Sequence, residues 1–370
     1  MEYELNNSAI GRQAKHTPEG GFVICGELNA DGVQSDAFLI KTDALGNEEW
    51  TATYGTANSY DYFVSVDTVP GGGYYLGGQR GSGSSNIDQW VMRVDSDGQE
   101  IWSYNYGTPG GGDGLAQVTT LSNGDCVFGS SWQTGSQYQL QACMVRLDLQ
   151  GEIVWSKRYG PVGNVVMHSV QELEPSHDLI VCGALGTGIN YFGTLLRTTS
   201  TGDSLWMRSY QYYDDLVTNG RGIFRDVVPT PDGGFIACGS ALPVTAADTL
   251  LYTQDVWVVK TDSFGCIEPG CQLITGVETQ ITNLMDVLRV WPNPVQSGSV
   301  VSFSLELPTG FVPVGNSRLT VVGSDGRLVH EQRVTSSNSL QLNADLSPGL
   351  YHIHLSDATR WISGTKLVVE

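Results

Sequence analysis

The chain has 370 residues, with 19 basic against 39 acidic side chains, a net charge of −20 at pH 7 and a pI near 4.5. That balance argues against nucleic acid and anionic membrane surfaces as partners, because both require a basic footprint. Forty-six glycines among short β-branched and aromatic runs predict an all-β, turn-dense protein, and no run of about 18 apolar residues offers a transmembrane helix.

At the start, Met1 to Asn7 carries neither a basic n-region nor an apolar h-region, so no secretory signal is read there. The first unit opens at the turn Thr17-Pro18-Glu19-Gly20 and the small apolar strand Gly21-Phe22-Val23-Ile24-Cys25-Gly26. A second strand, Asp36-Ala37-Phe38-Leu39-Ile40-Lys41-Thr42-Asp43, turns at Gly46 into a third, which carries Trp50 and ends at Tyr54-Gly55. Asp61 to Val66 reads as a fourth strand. The unit then recurs, with tryptophans at 50, 102, 155 and 206, in steps of 52, 53 and 51 residues. A period of that size marks a repeat architecture, and four short strands per unit form the blade of a β-propeller.

Every copy closes its second strand on a basic residue: Lys41, Arg93, Arg146, Arg197 or Lys260. Two residues later comes Asp43, Asp95, Asp148 or Asp262, with Thr199 breaking the series. Residues i and i+2 share a strand face, which predicts an ion pair or a turn contact, and Asp-x-x-Gly predicts a hairpin turn. Asp95-Ser96-Asp97-Gly98 begins like a calcium loop but lacks the further ligands, and reads as a turn. The fifth copy supplies two strands before Cys266. The chain start offers a completion: Met1-Glu2-Tyr3 as a third strand and Ala9 to Ala14 as a fourth, closing a five-bladed ring without open edges.

Seven cysteines are present. Cys25, Cys182 and Cys238 precede a glycine at one repeat position and are expected as small buried core residues. Cys266 and Cys271 bracket a turn-rich loop, where a disulfide, and hence an oxidising compartment, is expected. Two interruptions break the repeat: Tyr212-Tyr213-Asp214-Asp215 with Arg221 and Arg225, and an insertion from Ala241 to Gln254. Aromatic and paired acidic residues on loops at one end of a propeller can bind a glycan or a cation. Tyr212, Tyr213, Asp214, Asp215 and Arg221 are therefore the candidate ligand loop, weighed against an ordinary solvated loop.

The six histidines show no metalloprotease spacing. His352 and His354 share a strand face and are expected as a surface pair. No Ser-His-Asp or Cys-His set can be assembled from spacing, so no catalytic, metal-binding or cofactor-binding residue and no cofactor is expected.

After Cys271 the repeat ends. The expected division is a propeller over 1–271, a linker over 272–289 and a small C-terminal β-sandwich over 290–370, whose strands alternate in period two. That last module opens on Trp291-Pro292-Asn293-Pro294 and continues through the Asp325-Gly326-Arg327 turn and Pro348-Gly349-Leu350-Tyr351 to Lys366-Leu367-Val368-Val369. In this order at the C-terminus, these motifs resemble the type A sorting domain of type IX secretion cargo. The resemblance implies Sec export, passage through the outer membrane, and removal of the domain with release or surface attachment. It also implies a leader that Met1 to Asn7 does not show, so the expectation is an N-terminus that is incomplete or mis-assigned. The Asp-x-x-Gly-x-x-x-Trp element is similar to the tryptophan-docking repeat of quinoprotein-type propellers, which speaks to packing only. The sialidase Asp-box is approached with a different Gly-to-Trp spacing.

The expected protein is thus a secreted or cell-surface propeller of about five four-stranded blades, non-enzymatic, with the secretion machinery and an extracellular glycan or protein as partners. The alternative is a propeller hydrolase or lyase acting on extracellular polysaccharide.

Overall fold

The computed structural model describes residues 8–29, 35–81, 87–108, 111–135, 139–187, 190–211, 221–242, 254–267, 287–307, 316–323, 326–334, 339–342, 346–357 and 361–370. The chain divides into two compact units, Met1–Val228 with Ala237–Val258, and Pro229–Ile236 with Val259–Glu370. Every regular element among the described residues is a β-strand.

The first sheet is an antiparallel meander of β1 (Ser8–His16), β2 (Phe22–Asn29), β3 (Asp36–Thr42) and β4 (Glu48–Tyr54). The second repeats it with β5 (Tyr62–Thr68), β6 (Tyr74–Gly81), β7 (Ile87–Val94) and β8 (Glu100–Tyr106). The third and fourth are β9 (Gln117–Thr120), β10 (Cys126–Gln133), β11 (Leu140–Leu147), β12 (Ile153–Leu173), β13 (Asp178–Thr187), β14 (Asn190–Thr198) and β15 (Ser204–Tyr210). They are joined because the long β12 pairs with β11 through its first half and with β13 through its second. A fifth sheet contains β16 (Arg221–Pro229), β17 (Phe235–Leu242) and β18 (Asp255–Thr261).

Side chains alternate across each sheet, so every blade has two apolar faces. In the first blade Val23 and Cys25 pair with Lys41 and Leu39 on the face we call forward, while Phe22 and Ile24 pair with Thr42 and Ile40 on the backward face. The forward face of each blade packs on the backward face of the next. Val23, Cys25, Ala37 and Leu39 cluster with Phe63, Tyr74, Leu76, Trp90 and Met92. Tyr75 and Val91 then meet Cys126, Phe128 and Val145, and Val127, Ala142 and Met144 meet Leu179, Val181 and Leu196. Sheets stacked face to face in this way are the blades of a β-propeller.

The recurring motif is the joint between blades. The hydroxyls of Tyr54, Tyr106 and Tyr159 donate to the carbonyls of Gly98, Gly151 and Gly202 in the following blade, at 2.7, 2.8 and 2.7 Å. Those glycines sit at φ of 76°, 84° and 79°. A Cβ on them would come within about 3 Å of Trp50, of Tyr104 and Trp102, and of Trp155 respectively. Glycine is required twice over, by the left-handed turn and by the ring lying against it. The basic residues also reach forward: Arg93 donates to the Leu149 carbonyl at 2.9 Å and Arg146 to that of Ser200 at 3.3 Å.

Of the two contacts expected for the repeated aspartate the turn contact is the one formed, while other expectations change. The aspartate two residues after the base forms a turn contact: Asp43, Asp95, Asp148 and Asp262 accept the amides of their own hairpins. Arg146 and Arg197 instead pair with Asp125 and Asp178, each at 2.7 Å. The strand read as the fourth of each unit is the first of the next blade, since β5 pairs with β6. By the same rule Ala9 to Ala14 lies in β1 and pairs with β2 of its own blade, not with the last one; Met1-Glu2-Tyr3 lies outside the described residues. Cys25 and Cys182 are buried as expected, but Cys238 is exposed. Cys266 is disulfide-bonded, and Cys271 lies outside the described residues.

The second unit contains a β-sandwich. One sheet orders β19 (Leu288–Trp291), β20 (Val300–Leu305) and β23 (Ser339–Gln341). The other orders β22 (Leu328–Arg333), β21 (Arg318–Gly323), β24 (Gly349–Ser356) and β25 (Trp361–Val369). Its core gathers Leu288, Val301, Phe303, Leu319, Val321, Leu340, Tyr351, Ile353, Leu355 and Leu367. His352 and His354 face away from that core yet are only 8% and 1% exposed, their rings 6.3 Å apart. They are not the surface pair expected, because their cross-strand neighbours Val322 and Thr320 are buried with them.

Candidate functional site: the sorting-domain clasp and the blade loops

The Trp291-Pro292-Asn293-Pro294 motif and the C-terminal strand, far apart in sequence, meet in one clasp. Prolines 292 and 294 carry no N–H, so the chain leaving β19 cannot continue as a hydrogen-bonded ladder. Asn293 supplies the missing groups from its side chain. Its Nδ2 donates to the Lys366 carbonyl at 2.8 Å, and its Oδ1 accepts the Val368 amide at 2.9 Å. The backbone resumes at Val295, whose N–H donates to the Val368 carbonyl while its own carbonyl accepts from Glu370, both at 2.9 Å. β25 is the edge strand of its sheet, and an unpaired edge invites association with other chains. The clasp covers part of that edge and fixes the register of the terminal residues.

The other motif residues serve the same module. Tyr351 is buried and donates its hydroxyl to the Ser347 carbonyl at 2.7 Å, tying down the turn that holds Pro348 and Gly349. Gly326, at φ 80°, closes the hairpin between β21 and β22 through its amide to Gly323; Asp325 lies outside the described residues. Lys366 contributes its carbonyl to the clasp and leaves its side chain exposed, and Trp291 is 51% exposed.

In the blades, Tyr212, Tyr213, Asp214 and Asp215 lie outside the described residues. Arg221 and Arg225 belong to β16 rather than to a loop. The Arg221 Nε is buried without a partner among the described residues. Arg225 places Nη1 3.0 Å from His168 Nε2, and burial, followed by this guanidinium, lowers the imidazole pKa to about 4.

Two carboxylates that spacing did not single out hold the connections between blades. Asp61, fully buried, accepts the Thr56 amide at 2.7 Å and the Ser59 hydroxyl, with Arg80 Nε 3.5 Å away. Asp113 accepts the amides of Thr108 and Gln133 at 2.6 and 2.7 Å. Burial, with Asp88 nearby, raises the Asp113 pKa against those bonds. Both aspartates follow a Tyr-Gly pair at the same spacing, a signal present in the repeat.

Among the described residues, Glu172, Glu174 and His177 form the cluster with metal-ligand geometry. Glu172 is already committed to the neighbouring turn, accepting the Ser122 amide at 2.6 Å, the Ser122 hydroxyl at 3.1 Å and a contact from His177 Nδ1 at 2.9 Å. No helix among the described residues is long and apolar enough to cross a membrane.

No curated protein matches the chain. Among solved structures it is similar to a GH32 beta-fructofuranosidase of Bombyx mori, at 12% identity over 97% of this chain and 87% of that one, with a TM-score of 0.34. An endo-arabinase from Bacteroides thetaiotaomicron shares 12% identity over 63% and 88%, with a TM-score of 0.38. Extracellular domains 1–2 of Drosophila Semaphorin 1b share 7% over 69% and 52%, with a TM-score of 0.40. Likenesses this weak carry no argument about chemistry, and the architecture rests on the sheets themselves. The C-terminal module is different, for its residues match a family by sequence. Residues 289–370 are a secretion system C-terminal sorting domain, the address of a secreted or cell-surface protein.

Proposed function

We propose that the chain is a non-enzymatic binding or structural module, a propeller exported through the type IX system on the address at its C-terminus. The observation that carries the export half is the sorting-domain match over 289–370. Its motif residues Asn293 and Lys366 meet in the clasp on β25. Support for the binding half comes from how the blades use their charged groups. Asp61 and Asp113 spend their oxygens on loop amides and hydroxyls, and Arg93 and Arg146 reach the turns of the next blade. Groups repeated from blade to blade and satisfied by backbone hold the array together, whereas catalysis needs one asymmetric constellation.

The test of export compares the full chain with a chain lacking 290–370, in a host that has the system. Loss of extracellular protein with periplasmic retention is expected, and equal extracellular yield rejects the address. The test of binding is a glycan-array screen of the full chain, followed by product analysis on any glycan retained. Retention without cleavage is expected; turnover would make the protein a polysaccharide-acting hydrolase or lyase.

A further inference from the structure

The last blade ends the array on a face built like an internal one. In the fifth blade Val256 is 85% exposed and Val258 59%. The counterparts of Val256 in the preceding blades are Ala37, Gln89 and Ala142, all at 0%, and the buried Gly193. Those of Val258 are Leu39, Val91, Met144 and Leu195, all at 0%. Cys238 tells the same story on the neighbouring strand: its counterparts Cys25 and Cys182 are buried, and it is exposed. Each counterpart lies under the following blade. A Cβ on Gly193 would come within 2.6 Å of Trp257 and 2.8 Å of Phe224.

A repeat array that ends in solvent carries a polar outer face on its terminal unit. Cys238, Val256 and Val258 instead keep the small and apolar character of the internal forward faces. At the other end, the backward face of the first blade is left partly open. Phe22 is 40% exposed where Tyr74, Cys126, Leu179 and Phe235 are 4%, 0%, 1% and 1%. Ala14 and His16, paired with Ile24 and Phe22, are exposed beside it. Phe38 and Ile40 on that face are buried, so contact there would run through Ala14, His16, Phe22 and Ile24.

We propose that the forward face of the fifth blade, Cys238, Val256 and Val258, docks onto the backward face of the first blade in a second copy of this chain. The internal blade interfaces show that a forward face and a backward face are mates. Among the described residues Cys238, Val256 and Val258 on the fifth blade and Ala14, His16 and Phe22 on the first stay exposed, so each patch can find its mate on a second molecule. The two faces differ, so the contact is heterologous and adds copies head to tail.

Sedimentation of the full chain over a dilution series, read together with alkylation of Cys238, tests this. The expected result is a mass that rises above 39.9 kDa with concentration. Cys238 alkylation should slow about tenfold when nine forward faces in ten are covered, as mass action requires. Val258→Asp and Phe22→Asp should each be monomeric with unchanged circular dichroism. Mixed together they should form a one-to-one pair and nothing larger, because each retains one good face. A monomer at every concentration overturns the proposal, whether Cys238 reacts freely or is shielded by closure within one chain. Self-association that survives Val258→Asp overturns it too. Should either variant fail to fold, the dilution dependence of Cys238 alkylation in the unmodified chain decides alone.

Discussion

The blades and the sorting domain are both antiparallel β, but they hold themselves together in opposite ways. Between blades one contact is made again and again: a tyrosine hydroxyl on a turn carbonyl, and an aromatic ring on a turn glycine. In the sandwich the decisive polar contact, Asn293 on β25, is made once. Repetition tolerates local departures, such as Thr199 doing the work of aspartate by accepting the Asp203 amide through its hydroxyl. A single clasp has no second copy to share its load, and that difference sets the order of the effects below.

The largest effect is expected where a blade interface is most filled. Trp90 is fully buried, stacks on Phe63 at a centroid distance of 4.3 Å and lies under the Arg80 guanidinium at 3.8 Å. Trp90→Ala should cost about 3–5 kcal/mol, the range for emptying an aromatic site in a packed core. Urea unfolding measures it; a loss below about 1 kcal/mol would mean that the blades do not rely on this wedge.

Next comes the clasp. Asn293→Ala removes two hydrogen bonds at once, to the Val368 amide and the Lys366 carbonyl, at about 1 kcal/mol each, since water can reach both groups. Hydrogen exchange at the Val368 amide should quicken, and extracellular yield should fall with it. Unchanged exchange would show that β25 is held by β24 alone. Smaller again is Tyr106→Phe, which removes one of the equivalent hydroxyl bonds between blades and should cost about 1 kcal/mol. Its ring stays against Phe128. A cost equal to that of Asn293→Ala would erase the contrast between repeated and single contacts.

How much of this was legible depends on whether residues act through neighbours in sequence or across it. The blade strands, the Asp-x-x-Gly turns and the tryptophan joint follow from periodicity, because Trp50, Trp102 and Trp155 recur in step with Gly98, Gly151 and Gly202 one blade on. The blade frame did not follow. Whether Tyr62–Thr68 closes one sheet or opens the next depends on pairing partners, and period alone is silent on partners. Asn293 was legible as a motif residue, but its hold on Val368 was not, since 75 positions separate them. The burial of His352 and His354 was hidden too, because alternation predicts two faces without saying that both are covered.

An effect confined to acid pH is expected at His168, where Arg225 donates to Nε2 and so places the imidazole proton on Nδ1. Burial comes first and the guanidinium second in lowering this pKa from 6.5 to about 4. A depressed pKa means that the folded chain binds this proton less readily than the unfolded one. The neutral imidazole's contribution is therefore complete above pH 6.5 and is lost as pH falls through about 4. His168→Gln keeps an acceptor for Arg225 and removes the titration. Between pH 6.5 and 4 the urea midpoint of the variant should fall less steeply than that of the parent chain, with the two parallel above pH 7. Curves that stay parallel throughout would place His168 in water and free of Arg225. They would also leave that junction of β12 and β16 to the bond between Ser169 and Asp226.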